Sequence, residues 1–239
     1  MSGHSKWNNI KGRKEKSDAQ RAKMFTMLGR QIMVAMASGS DPDSNPSLKN
    51  AIQKAKQNNM PNDKIKALLD KSNKDTSNYT ESTYEGYGVG GVAVVVKCLT
   101  DNKNRTISDV RHAFDKFGGS LGATGSVTYM FENKGVVVLE KTADFDADKA
   151  MELALEIEAL DCEDDEVFTV YTEPTASEVN RVGGAFSEAG YTVLSSEVEM
   201  IPQNYIALDE HQRETFEKML AKLDESDDVQ EVIHNLQED

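Results

Sequence analysis

The chain has 239 residues, 38% of them hydrophobic and 28% charged, and a net charge of −14. This length buries a sizeable core and allows one to three domains; no apolar run approaches the ~18 residues of a membrane span, and the charged N-terminus lacks the apolar stretch of a secretory signal. The two cysteines, Cys98 and Cys162, lie far apart and in no CxxC pair, so a disulfide framework and a zinc site are unsupported, buried thiols are the reading, and a cytoplasmic protein is expected.

The chain opens on a basic stretch. Residues 1–30 carry eight Lys or Arg (Lys6, Lys11, Arg13, Lys14, Lys16, Arg21, Lys23, Arg30) against two acids, Glu15 and Asp18. Residues 1–75 hold 15 bases and 7 acids, and the remainder holds 12 bases and 34 acids. The asymmetry points to a basic arm and head that meet a polyanion, carried on an acidic body that does not. Residues 1–16 show no apolar periodicity and are expected to form a mobile arm. Ser17 with Gln20 is a capping-box pattern that opens a helix with Phe25, Leu28, Ile32 and Ala35 on one stripe, ended by Gly39. Lys23 and Arg30 fall on the opposite side of that helix, which the spacing assigns to solvent. Asn45 and Pro46 start a second helix, with Leu48, Ala51, Ile52 and Ala55 inward and Lys49 and Lys56 on another face. Asn58 to Pro61 breaks the chain, and a third helix follows with Ile65, Leu68 and Leu69 as its core side. Residues 17–75 thus read as a small helical bundle.

Asn73 to Ser82 is polar and reads as a linker, after which the period becomes extended. Gly90 to Leu99 is a predicted strand, and Thr106 to Asp109 is a cap signal for a helix with Val110 and Phe114 inward. Ser126 to Phe131 and Gly135 to Lys141 are two further predicted strands. Asp146 opens a helix through Leu160, and Glu166 to Thr172 is a strand. Thr175 caps a helix with Val179, Val182 and Phe186 inward, ended by Gly190. Tyr191 to Met200 is a strand, a short strand is possible near Tyr205, Asp209 caps a helix, and Val229 to Leu236 is a last strand. The expected class is α+β: an N-terminal three-helix domain followed by two ferredoxin-like α/β domains. The favoured cut makes residues 134–202 an insert in a domain formed by 83–133 and 203–239; two sequential domains are the alternative.

Lys and Arg neutralise phosphates and release counterions, and Trp7 beside Lys6 could stack on an unpaired base or dock on its own protein. Lys6, Trp7, Lys11, Arg13, Lys14, Lys16, Arg21, Lys23 and Arg30 are therefore the candidate nucleic-acid-binding residues. The glycines of Tyr84 to Val92 precede a strand and open no helix, so a dinucleotide loop is rejected. Tyr84, Tyr87, Gly88, Gly90 and Arg105 are either structural turns or loops that approach a partner. Arg105 could bind phosphate, while a cap and turn explain Asn102 and Asn104. The carboxylate run Asp161 to Glu166 reads as a solvated turn rather than a cation site. His4, His112, His211 and His234 are scattered, no nucleophile has a base nearby, and neither catalysis nor a cofactor is expected.

Several short motifs in order carry a resemblance. They are Ser2-Gly-His-Ser-Lys-Trp7, Ile10-Lys11, Asp41-Pro42, Asn45-Pro46, Asn59-Met60-Pro61, Tyr84-Glu-Gly-Tyr-Gly88, Gly90-Gly91, Thr100-Asp101-Asn102, Asn104-Arg105-Thr106, Gly118-Gly119 and Gly125-Ser126-Val127. Together they resemble the YebC family along nearly the whole chain. The resemblance implies three domains and a cytoplasmic, non-enzymatic regulator of gene expression. It implies either DNA binding in transcription or association with the ribosome to help translation through difficult peptides. Two departures stand out: Val89 where the family's loop has proline, and Lys71 to Ser77 where it has a glycine-rich stretch.

Three functions follow as expectations. The first is a translation factor that sets its helical head and arm on ribosomal RNA. The second is a DNA-binding transcriptional regulator, and the third is a protein–protein adaptor using the α/β domains. The second helix begins Pro46-Ser-Leu-Lys-Asn50, which offers few base-reading side chains for a helix-turn-helix, and a long duplex would repel the acidic body. These points and the resemblance favour RNA.

Overall fold

The structure, a computed structural model, describes residues 18–70 and 79–237. The chain divides into two compact units, one of which covers residues 129–207 and the other the described part of 16–128 with 208–236. Ser17 and the arm lie outside the described residues.

In the larger unit, three helices form the head: α1 (Asp18–Met36), α2 (Pro46–Gln57) and α3 (Asn62–Leu69). Their apolar stripes meet in a cluster of Leu28, Ile32, Met36, Leu48, Ala55, Met60 and Ile65, as the 3.6-residue spacing requires. Asn45 fixes the corner between α1 and α2. Its side-chain oxygen accepts from the Leu48 N–H at 3.1 Å, and its amide donates to the carbonyls of Ala35 and Gly39, both at 2.7 Å. Pro46 takes the first helical position, where its missing N–H costs nothing.

The rest of this unit is a four-stranded antiparallel sheet of β1 (Thr80–Tyr87), β2 (Ala93–Thr100), β3 (Ser120–Leu121) and, from the far end of the chain, β8 (Val229–His234). Its order is β3-β1-β2-β8. Helices α4 (Lys103–Lys116) and α7 (Glu210–Asp224) belong to it and bury Val110, Ala113 and Phe114, and Phe216, Met219 and Leu223. Two sequence expectations change here. Thr80 to Ser82, assigned to the linker, begins a strand that pairs with β2 along its whole length, because a cross-strand partner outweighs the polar composition. The first flank therefore enters the sheet by a hairpin, not by the opening βαβ of a ferredoxin-like unit. Helix α4 begins at Lys103, not near Thr106: the Asn102 side chain accepts from the Arg105 N–H at 3.1 Å and caps it.

The second unit runs β4 (Phe131–Leu139), α5 (Ala147–Glu156), β5 (Asp161–Asp164), β6 (Phe168–Thr172), α6 (Ala176–Glu188) and β7 (Val193–Pro202). Its sheet order is β5-β6-β4-β7, all antiparallel. This is the βαββαβ ferredoxin-like arrangement. Alternation along β4 sends Val137 and Leu139 into a core with Ala150, Ala154, Phe168, Val170, Val182 and Phe186. Val136 and Val138 point to the opposite face, with Val167 and Tyr171. Three boundaries differ from the sequence reading. The two strands expected over 126–141 are one strand preceded by a 3-10 turn, Thr128–Met130. Helix α5 ends at Glu156, not Leu160. The carboxylate run expected as a turn contains the edge strand β5, where charged side chains suit an exposed edge. Near Tyr205 there is only an isolated bridge residue, Ile206.

Candidate functional site

Among the described candidates, Lys23 and Arg30 of α1 do not face solvent as their helical spacing suggested. Lys23 Nζ lies 2.8 Å from Asp224. The Arg30 guanidinium donates to the Asp227 carbonyl at 2.6 Å and to Asp228 Oδ1 at 3.0 Å, and it sits over the Tyr79 ring. Gln31 bonds Gln230 at 3.1 Å. A helix side that looks polar in sequence is thus the side that docks on the end of α7 and the start of β8.

Asp228 is the centre of this joint. Its side chain is only 6% exposed. Its other oxygen, Oδ2, accepts from Arg105 at 2.8 Å, Thr106 Oγ1 at 2.9 Å and Thr100 Oγ1 at 3.0 Å. Burial pushes its pKa up, but the donors Arg105, Thr106 and Thr100 outweigh burial and hold it below the ordinary aspartate value. One carboxylate therefore ties α1, the end of β2 and the first turn of α4 to the start of β8. Arg105, a candidate phosphate ligand, is committed here and to Asp101 at 2.8 Å.

A second buried carboxylate organises the tyrosine–glycine stretch. Glu85 on β1 is 4% exposed. Its oxygens accept the backbone N–H groups of Gly125, Val127 and Thr128 at 2.8, 3.0 and 2.9 Å. Burial alone would raise its pKa; the hydrogen bonds with Thr128, Gly125 and Val127 prevail and bring it down to about 2. Tyr87 donates its hydroxyl to the Ser126 carbonyl at 3.1 Å, and Tyr84 reaches the Lys103 carbonyl at 3.4 Å. Gly88 is buried where an added Cβ would come within 2.8 Å of Phe216. Gly90 has φ 68°, and a Cβ there would collide with Leu208. Of the candidate loop residues, Tyr84, Tyr87 and Gly88 are engaged inside the fold, Arg105 is exposed but ion-paired, and Gly90 stands at the surface.

The exposed basic groups lie elsewhere on the head. Lys49, Lys56 and Lys66 on α2 and α3 are exposed and make no ion pair among the described residues. Lys64 sits over the Phe25 ring at 5.1 Å, and Arg21 is exposed near the start of α1. Lys6, Trp7, Lys11, Arg13, Lys14 and Lys16 lie outside the described residues. Among the described residues no group of His, Cys, Asp or Glu could hold a metal ion, and no helix is long and apolar enough to cross a membrane. Cys98 is buried and Cys162 half-buried, both as free thiols.

Known proteins share this arrangement. Residues 5–75 match the model of the TACO1/YebC protein N-terminal domain, and residues 79–236 match that of the TACO1/YebC second and third domain. The chain belongs to the TACO1/YebC family. A relative in Listeria monocytogenes is 51% identical over 98% of both chains and carries the name probable transcriptional regulatory protein. One in Caldicellulosiruptor bescii with the same name is 46% identical over 100% of this chain and 99% of its own. The crystal structure of a conserved hypothetical protein of Aquifex aeolicus, 38% identical, superposes with a TM-score of 0.80 over 93% of each chain. The two family models meet in the stretch between α3 and β1, so this family's N-terminal part ends where the helical head ends.

Proposed function

We propose that this TACO1/YebC protein is a non-enzymatic regulator of gene expression that binds nucleic acid through its basic N-terminal region and acts as a ribosome-associated translation factor in the cytoplasm. The carrying observation is the separation of charge along one chain: residues 1–75 hold 15 bases against 7 acids, and the rest hold 12 against 34. Phosphates are drawn to the first part and repelled by the second. Lys6, Lys11, Arg13, Lys14, Lys16 and Arg21 supply the phosphate contacts, with Lys49, Lys56 and Lys66 on the head behind them, and Trp7 stacks on an unpaired base. Lys23, Arg30 and Arg105 hold the fold together instead. The relatives' name supports the regulatory role and supplies the second reading, binding of duplex DNA in transcription. Ribosomal RNA is favoured over DNA because α2 begins with Pro46, Ser47 and Leu48 and presents no row of base-reading side chains.

Replacing Lys11, Arg13, Lys14 and Lys16 together with Ala tests the arm. Each lost phosphate contact reduces the slope of log affinity against log salt by ~0.7 for single strands and ~0.9 for duplex; an unchanged slope removes these residues from the interface. Sedimentation of lysate through sucrose, with and without ribonuclease, tests the partner. Co-migration with ribosomes is expected. Absence from ribosomal fractions, with tighter binding to duplex DNA than to ribosomal RNA, would establish the second reading.

A further inference from the structure

Nearly half of the acidic surplus of the body lies in one short stretch. Between Asp144 and Glu166 stand eleven acids and a single base, Lys149, and Lys149 is bound to Asp146 at 2.9 Å. The neighbouring cations are likewise committed, Lys141 to Asp164 at 2.6 Å and Arg181 to Glu178 at 2.6 Å. A stretch so charged would be expected to show only polar groups to water, and it does not. Helix α5 buries Ala150 and Ala154 at 0% and 3% exposure, yet leaves Met151 at 42%, Leu155 at 73% and, just past its end, Leu160 at 58%. Met151 and Leu155 are four residues apart and therefore neighbours on the helix surface. Single exposed apolar side chains carry no message, but three within ten residues on one short element, set among the exposed carboxylates of Asp148, Glu152, Glu156 and Glu158, have the layout of an apolar centre with a charged rim.

The helix end adds a second observation. The Ala159 N–H bonds the Ala154 carbonyl at 2.9 Å and the Glu158 N–H bonds the Leu155 carbonyl at 3.1 Å, the Schellman pattern that usually places glycine in the left-handed position. Here that position is Glu158, with φ 56°. A carboxylate is thus kept beside Leu155 at a place where the backbone favours a residue without a side chain.

We propose that the exposed face of α5, with Leu160 beyond its end, docks a cationic amphipathic segment of a partner protein, apolar anchors on Met151, Leu155 and Leu160 and Lys or Arg side chains on Glu152, Glu156 and Glu158. Charge complementarity selects this occupant. A second copy of the chain would bring one ring of carboxylates against another, and nucleic acid would bring phosphates. The site thus gives the acidic body a partner of its own, independent of what the N-terminal region binds.

The test uses the full chain and two labelled 18-residue peptides of the same lysine and leucine composition. One has its leucines on a single helical face, and the other has them dispersed. At physiological salt, anisotropy titration is expected to give the first peptide an affinity at least tenfold higher than the second. That ratio should fall to about one in the Met151→Ser, Leu155→Ser, Leu160→Ser variant, with binding of the dispersed peptide unchanged. Leu155→Ser alone should lower the ratio part of the way, which guards against misfolding of the triple variant. Glu152→Gln with Glu156→Gln should weaken both peptides. Equal affinities in the wild type, or a ratio that survives the serine variant, would overturn the proposal. So would a concentration-dependent dimer in sedimentation velocity that the serine variant abolishes. RNA binding by the serine variant should match the wild type, so this result is separable from the fate of the RNA reading.

Discussion

The two sheets reach the same size by different means. The sheet of β4 to β7 is one continuous run of chain, and its helix-bearing face closes over Phe168, Val170, Val182 and Phe186 without a buried ionised group among them. The sheet of β1 to β3 takes its fourth strand, β8, from the far end of the chain. At the seam with β8 stands Asp228, while Glu85 on β1 holds the turn over 125–128, each with several donors. A contiguous unit closes short loops, and non-directional burial suffices to hold it. A strand recruited from a distance must be set in one register, and a buried carboxylate with fixed donors rejects the alternatives because any slip leaves it unpaired.

Breaking the apolar side of the comparison should cost most. Phe186 is fully buried and stacks edge-on with Tyr191 at 5.5 Å. Phe186→Ala should destabilise by about 3–5 kcal/mol. Hydrogen exchange should then show β4 and β6 losing protection while β1 and β2 keep theirs. Equal loss in both sheets would mean that the units do not unfold separately, and the contrast drawn between them would fail.

The polar side breaks at Asp228. Asp228→Asn keeps the volume but removes the charge that faces Arg30 and Arg105. Loss of a buried partner of this kind costs on the order of 3 kcal/mol. Thermal melting should fall accordingly, and proteolysis should reach the Arg30 side of α1 earlier than in the wild type. Lys23, whose partner Asp224 is 73% exposed, should contribute well under ~1 kcal/mol. A large effect at Lys23 and none at Asp228 would mean that the joint is held by surface charge rather than by its buried centre.

The same contrast decides what the sequence made legible. Helix faces and caps that act locally, such as Asn45, Asp146, Thr175 and Asp209, are readable because spacing alone specifies them. So is the succession β4, α5, β6, α6 and β7 in residues 131–202, whose elements follow one another; β5, whose carboxylates read as a turn, becomes a strand only through its pairing with β6. Strand β1 was not readable, because its polar residues become a strand only through β2 and β3. Lys23 and Arg30 look like a solvent face for the same reason: their partners, Asp224 to Asp228, lie about two hundred residues away. Neither Asp228 nor Glu85 carries a local signal, since an acid before a strand or between two tyrosines reads as surface until its donors are brought to it. The YebC motifs in their order point to the family; of their residues, Gly86, Gly88 and Gly119 are packed where a Cβ would clash, and Arg105 is a joint residue of the larger unit.

A smaller effect than at Phe186 or Asp228 is expected at Glu85, and it has a pH signature. In the unfolded chain its carboxyl titrates near the ordinary 4.5, and in the fold near 2. A depressed folded pKa means that the contribution is complete above pH 4.5 and is lost progressively as pH falls towards 2. Glu85→Gln removes the charge and turns one acceptor into a donor facing the N–H groups of Gly125, Val127 and Thr128. The cost at neutral pH should be about 1–3 kcal/mol. In urea melts at a series of pH values, wild type and variant should differ at pH 7 and converge as the pH falls from 4.5 towards 2. A gap that stays constant across that range would show that the Glu85 charge contributes nothing to the loop, and that the three N–H groups need only a neutral acceptor.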